Sequence, residues 1–143
     1  MTLNETAAEI RETFSFLDDW ETRYEHIIDL GKTLPELPDA EKTEAYKVRG
    51  CASQVWIVPQ PAEKATDISF RAQSDALIVS GLIALLTELF NNKPASDILE
   101  FDAKGFFSEL GLDEALSAQR ANGLRSMLTR IYTLAEQKVS EAL

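Results

Sequence analysis

Apolar residues recur at helical spacing from the start of the chain. Ala7, Ile10, Phe14 and Leu17 fall three or four apart among charged neighbours, predicting a helix over residues 4–16 capped by Thr2 or Asn4. Trp20, Tyr24, Ile27 and Ile28 share a face in the same way, predicting a second helix over residues 20–30 with Gly31 as its C-terminal cap. The prolines of "LPELPD" then exclude a helix interior. Further on, the pattern turns strand-like. "SQVWIV", residues 53–58, is β-branched and aromatic and is expected to stop at Pro59 and Pro61. Residues 67–73 alternate Ile68, Phe70 and Ala72 with polar neighbours, so the two segments read as an antiparallel pair joined by "PQPAEKA". A further strand is expected over residues 45–48.

Helical spacing returns after residue 73. "ALIVSGLIALL", residues 76–86, is apolar all round, the mark of a buried helix, with Ser74 or Asp75 as its expected cap and Phe90 as its end. Short helices are expected over residues 95–100 and 104–110, the second closed by Gly111, and Ser117 caps a last helix to the C-terminus. Helices, a small antiparallel sheet, then helices make the fold class α+β. With 143 residues and no repeat or linker, one domain over residues 1–143 is the expectation.

Composition narrows the function classes. Net charge is −10, and residues 1–44 alone hold 12 acidic and 4 basic side chains. That balance repels phosphate backbones, so no nucleic-acid partner is expected. The eleven-residue apolar stretch is well short of the roughly 20 a membrane span needs. The acidic N-terminus lacks the basic, then apolar, pattern of a signal peptide, so the expected location is cytoplasmic. One cysteine permits no intramolecular disulfide, in keeping with a reducing compartment.

Familiar chemistries are absent from the pattern. One cysteine and one histidine give no metal-ligand spacing, so no metal or cofactor is expected in the chain, and His26 reads as a surface residue. No phosphate-binding glycine loop or nucleophile elbow occurs. Cys51 remains. A lone cysteine is most often structural, yet Gly50 lets a partner approach closely, Arg49 brings a positive charge that favours thiolate, and the thiol sits at the approach to a strand. Two positions on the last helix break local rules. Arg120 lies in the first turn, where the helix dipole costs a cation about 0.3–1 kcal/mol. Gly123 lies inside at about 1 kcal/mol relative to alanine, which implies close packing. Asp75 is a candidate partner for Arg120, and an ordinary helix-start acid equally well.

The order "W…RY…I…LG…LP.LP", "GCASQVW", "SDALIVSGLIALL", "FDAKGFFSELGL" and "LSAQRANGL", over residues 20–124, resembles the SufE/CsdE family of sulfur acceptors, with "CASQVWIV" nearer the SufE type. The resemblance implies an α+β fold related to the IscU-type scaffold, a monomer, and Cys51 as acceptor of persulfide sulfur. It implies a SufS/CsdA-type cysteine desulfurase as partner, the pyridoxal phosphate belonging to that partner, and a SufBCD-type scaffold downstream; CsdE-like proteins deliver elsewhere. Asp75 and Arg120 match family positions near the cysteine loop. The implied role is a sulfur carrier and desulfurase activator without its own turnover, with the loop sheltering Cys51 until the desulfurase docks. A cluster scaffold or an interaction module with an inert cysteine are the other classes considered.

Overall fold

The computed structural model describes residues 1–51 and 53–142. Two helices open the chain, α1 (Leu3–Ser15) and α2 (Trp20–Gly31), followed by a 3-10 turn, Asp39–Glu41. Strands β1 (Val55–Gln60) and β2 (Asp67–Ser74) precede the apolar helix α3 (Leu77–Phe90). A two-residue strand β3 (Lys93–Pro94) leads into α4 (Ala95–Glu100), α5 (Ala103–Glu109), α6 (Leu112–Ala115) and the long α7 (Ala118–Ala142). Helices around a three-stranded antiparallel sheet of order β1-β2-β3 give the expected α+β class.

α3 is the centre. Its residues are buried on nearly every side because α1 and α2 pack on it from one direction and β2 from another. α1 buries Ala7, Ile10 and Phe14 of the predicted stripe and adds Leu3, while Leu17 lies beyond its end, half-buried. Thr2 forms a full capping box with Glu5, which leaves Asn4 as an interior residue rather than the cap. The expected role of Gly31 also changes. It is the last helical residue and Lys32 follows as cap. A side chain at Gly31 would come within 2.6 Å of the Gly81 backbone nitrogen, and one at Gly81 would overlap the Ile27 carbonyl. The two glycines let α2 and α3 touch backbone to backbone.

β2 alternates buried and half-buried residues, as its pattern predicts, whereas β1 is buried at four consecutive positions. Val55 and Ile57 join the main core, while Trp56 and Val58 pack outward with Leu37 and Tyr46 from the segment that wraps the sheet. Contrary to expectation, β1 continues through Pro59 to Gln60. Pro59 lies opposite Phe70, whose N–H and C=O both bond the Asn91 side chain, at 2.9 and 3.1 Å, on the far side of β2. No ladder bond is due there, so the missing proline N–H costs the sheet nothing.

Residues 45–48 form no strand of their own. A single bridge joins Lys47 to Trp56, flanked by Val48 N–H to Val55 O at 2.8 Å and Ile57 N–H to Tyr46 O at 3.0 Å. The sheet's third strand is β3 instead. Neither Ser74 nor Asp75 accepts a first-turn N–H of α3: Ala76 is the cap and its side chain makes no bond. Ser74 ends β2, and its hydroxyl accepts from Ala76 N–H at 3.2 Å. α5 starts one residue before the expected bound, Gly111 closes it, and α6 is an addition to the expected elements. Ser117 does open α7, accepting the Arg120 N–H at 3.3 Å on its hydroxyl and the Ala121 N–H at 2.9 Å on its carbonyl.

Candidate functional site

Cys51 sits in the loop between the Lys47–Trp56 bridge and β1, at the foot of α7. Val48 fastens the loop to β1 on one side. On the other, Gln54 and Asp75 exchange two bonds: Gln54 N–H donates to the Asp75 carboxylate at 3.0 Å, and Asp75 N–H donates to Gln54 O at 3.2 Å. Asp75 therefore anchors the cysteine loop rather than capping α3. Gly50 has φ +91°, and its α-carbon lies against Ser126 of α7: a side chain there would meet the Ser126 hydroxyl at 2.5 Å. That combination of backbone and contact admits only glycine.

The thiol points at α7. Its S–H donates to the Gly123 carbonyl at 3.6 Å, and a side chain added at Gly123 would be in van der Waals contact with the sulfur at 3.7 Å. The close packing expected at Gly123 is thus against Cys51 itself. Beside the sulfur lies a cavity of about 220 Å³ with an apolar wall of Val79, Leu82, Leu124 and Met127 and a polar rim of Ser53, Gln119 and Arg120. Cys51 is half-buried, and burial pushes its thiol pKa up. The neutral thiol is therefore the resting form.

That direction is opposite to the one expected from Arg49. Its side chain is 84% exposed and lies 3.9 Å from Glu44, so its charge is solvated and partly neutralised. Arg120 does reach the thiol cavity, as its misplaced position in the first turn hinted. It does not pair with Asp75: among the described residues no ion pair joins them. Instead Arg120 borders the cavity while Asp75 holds the loop's exit. His26 is half-buried rather than on the surface, edge-on to Phe14 at 5.7 Å between ring centres, and does not border this cavity. Among the described residues no cluster of three His, Cys, Asp or Glu side chains suits a metal ion. No described helix is long and apolar enough to cross a membrane.

Sequence reasoning missed Ser53 and Gln119 on the rim and Ser126 under Gly50. Ser126 follows Gly123 by one helical turn, so the signal was present in the spacing, but which loop residue would lie on that face was not.

The sequence matches the family described as SufE, Fe-S metabolism associated domain, over residues 8–135. The chain belongs to the SufE family. Relatives include uncharacterised SufE-like proteins of Rhizobium meliloti (strain 1021), 49% identical over 92% of this chain and 95% of the relative, and of Rhizobium etli, 50% identical over 86% and 84%. The solution structure of a hypothetical protein from Thermus thermophilus superposes with a TM-score of 0.75 at 20% identity, covering 94% of this chain and 96% of that one. That likeness extends the SufE fold to a distant sequence. A role in iron–sulfur metabolism follows from the family.

Proposed function

We propose that Cys51 is a sulfur acceptor: it takes the terminal sulfur of a persulfide carried by a SufS-type cysteine desulfurase, stimulates that enzyme by unloading it, and passes the sulfur to a SufBCD-type scaffold. The observation that carries this reading is the pairing of the chain's sole thiol with an adjoining cavity, in a loop fastened at both ends. The Cys51 thiolate attacks the outer sulfur of the donor's R–S–SH. The donor's S–S bond breaks, R–S⁻ leaves, and a persulfide forms on Cys51, as in thiol–disulfide exchange. The thiol proton passes to solvent or to the leaving thiolate, and no external oxidant is consumed. Having no second cysteine matters here, because a neighbouring thiol would attack the new persulfide and discharge it as sulfide with formation of a disulfide. The pyridoxal phosphate that generates the donor persulfide is the desulfurase's, and this chain turns over nothing alone.

A half-buried neutral thiol is a poor nucleophile. The carrier therefore reacts fully only once docking draws Cys51 from its seat or brings a positive charge, of which Arg120, on the same cavity, is one of its own. Sheltering also protects the loaded persulfide, which is easily reduced or oxidised.

Intact-protein mass spectrometry tests this directly. After incubation with a SufS-type desulfurase, pyridoxal phosphate and cysteine without reductant, wild type should gain whole sulfur atoms and Cys51→Ser should gain none. If wild type gains none from a desulfurase shown to be active, the acceptor reading fails for that donor, and a CsdA-type desulfurase is tried next. No gain from either leaves the interaction-module reading.

A further inference from the structure

Gly123, Ser126 and Arg130 follow one another at three- and four-residue spacing, so they lie along one face of α7. Each touches the segment that carries the thiol. The Gly123 carbonyl accepts the Cys51 S–H, the Ser126 hydroxyl faces the α-carbon of Gly50, and the Arg130 guanidinium donates to the Ala45 carbonyl at 3.0 Å. The contacts run antiparallel: as the helix advances from 123 to 130, the segment retreats from 51 to 45. One helix face thus reads the thiol segment at three points, independently of the two backbone bonds by which Tyr46 and Val48 hold β1.

We propose that Ser126 and Arg130 are positioning residues for the reactive cysteine, registering residues 45–51 on α7 so that the Cys51 sulfur is seated against Gly123 and beside its cavity. Among the described residues Arg130 is the one α7 side chain that hydrogen-bonds this segment, besides the thiol's own bond to Gly123, and a guanidinium donor is stronger than a neutral one. Ser126 sets the depth at which Gly50 lies: a larger side chain there would lift Gly50, and the sulfur with it, off the helix. Neither residue touches the donor persulfide. Their effect is to decide how far the free carrier hides its thiol, which sets how much of its reactivity is reserved for a docked partner. This rests on the acceptor reading for its meaning, but not for its test.

The test is the rate of Cys51 alkylation by iodoacetamide in the isolated full chain across alkaline pH. In R130M and S126L the rate should rise roughly fivefold, the scale of about 1 kcal/mol, one typical net hydrogen bond. Its pH midpoint should fall toward that of an ordinary thiol, because the sulfur is no longer buried. R130K, which keeps a cationic donor, should stay closer to wild type. Leu128→Ala serves as control, loosening α7 from the core on a face away from the thiol segment; it should melt earlier with an unchanged midpoint. Wild-type rates and midpoints in both R130M and S126L would overturn the proposal. So would an equal change in Leu128→Ala, since general loosening would then explain it. No desulfurase enters this measurement, so failure of sulfur acceptance and failure of positioning are read separately.

Discussion

Cys51 shows how one residue's environment sets its chemistry against the grain of its neighbours. The adjacent Arg49 suggests a thiolate, but the cation faces water and Glu44 while the sulfur faces the Gly123 carbonyl and an apolar wall, so burial wins. Because folding raises this thiol's pKa, the folded state holds its proton more tightly than the unfolded chain. The resulting stabilisation is fully present below the unfolded value and is lost as pH rises through the folded one. Wild type should therefore lose stability relative to Cys51→Ser from roughly pH 8.5 upward, the ordinary thiol value. Paired thermal melts from neutral to alkaline pH measure this, and parallel curves would contradict it. Asp75 carries a second prediction at this scale. Asp75→Ala removes the acceptor for Gln54 N–H, so the loop should alkylate about tenfold faster, the low end of one lost bond to a charged acceptor. An unchanged rate would mean that the backbone bonds at Val48 N–H and Gln54 O suffice to hold the loop. Cys51, Arg120 and Gly123 stand out in the sequence because each breaks a local rule. Asp75 stands out for the wrong reason, since a carboxylate before a helix looks like a cap whichever backbone N–H it accepts. Ser126 and Arg130 break no rule, so only the docked segment reveals them.

Among the elements, the α2–α3 crossing is the tightest joint the structure describes. Alanine at Gly81 would press its methyl into the Ile27 carbonyl, with the Ile27 side chain also too near. Helix backbones cannot yield as a flexible side chain can. Gly81→Ala should destabilise by at least about 1–3 kcal/mol, the ordinary cost of overpacking. Urea unfolding measures it, and a midpoint equal to wild type would show that the helices can slide apart freely. The longer elements were legible because each spans several repeats of its period: α1, α2, α3 and β2 lie within a residue or two of expectation. β3 and α6 have two and four residues, too few for any period to register. The burial of both faces of β1 was illegible for another reason: it depends on Leu37 and Tyr46 reaching over the sheet from an irregular segment.

For the whole molecule, charge is distributed unevenly, with α1, α2 and the segment after them carrying most of the net −10. Within a Debye length of about 8–10 Å these carboxylates repel one another. Added sodium chloride should accordingly raise the melting temperature over the first few hundred millimolar, and a flat or falling salt series would show that the acids are already compensated. The loop anchors have a consequence at the same scale. Cys51 lies three residues from Val48 and three from Gln54, and an extended residue spans at most about 3.3–3.6 Å. With both anchors held, the cysteine's α-carbon therefore cannot lie more than about 10–11 Å from either one. A leash that short works at high effective concentration over a very small search volume. For the proposed sulfur transfer this means short-range delivery: a donor or recipient thiol has to be brought to within that radius plus the length of the cysteine side chain.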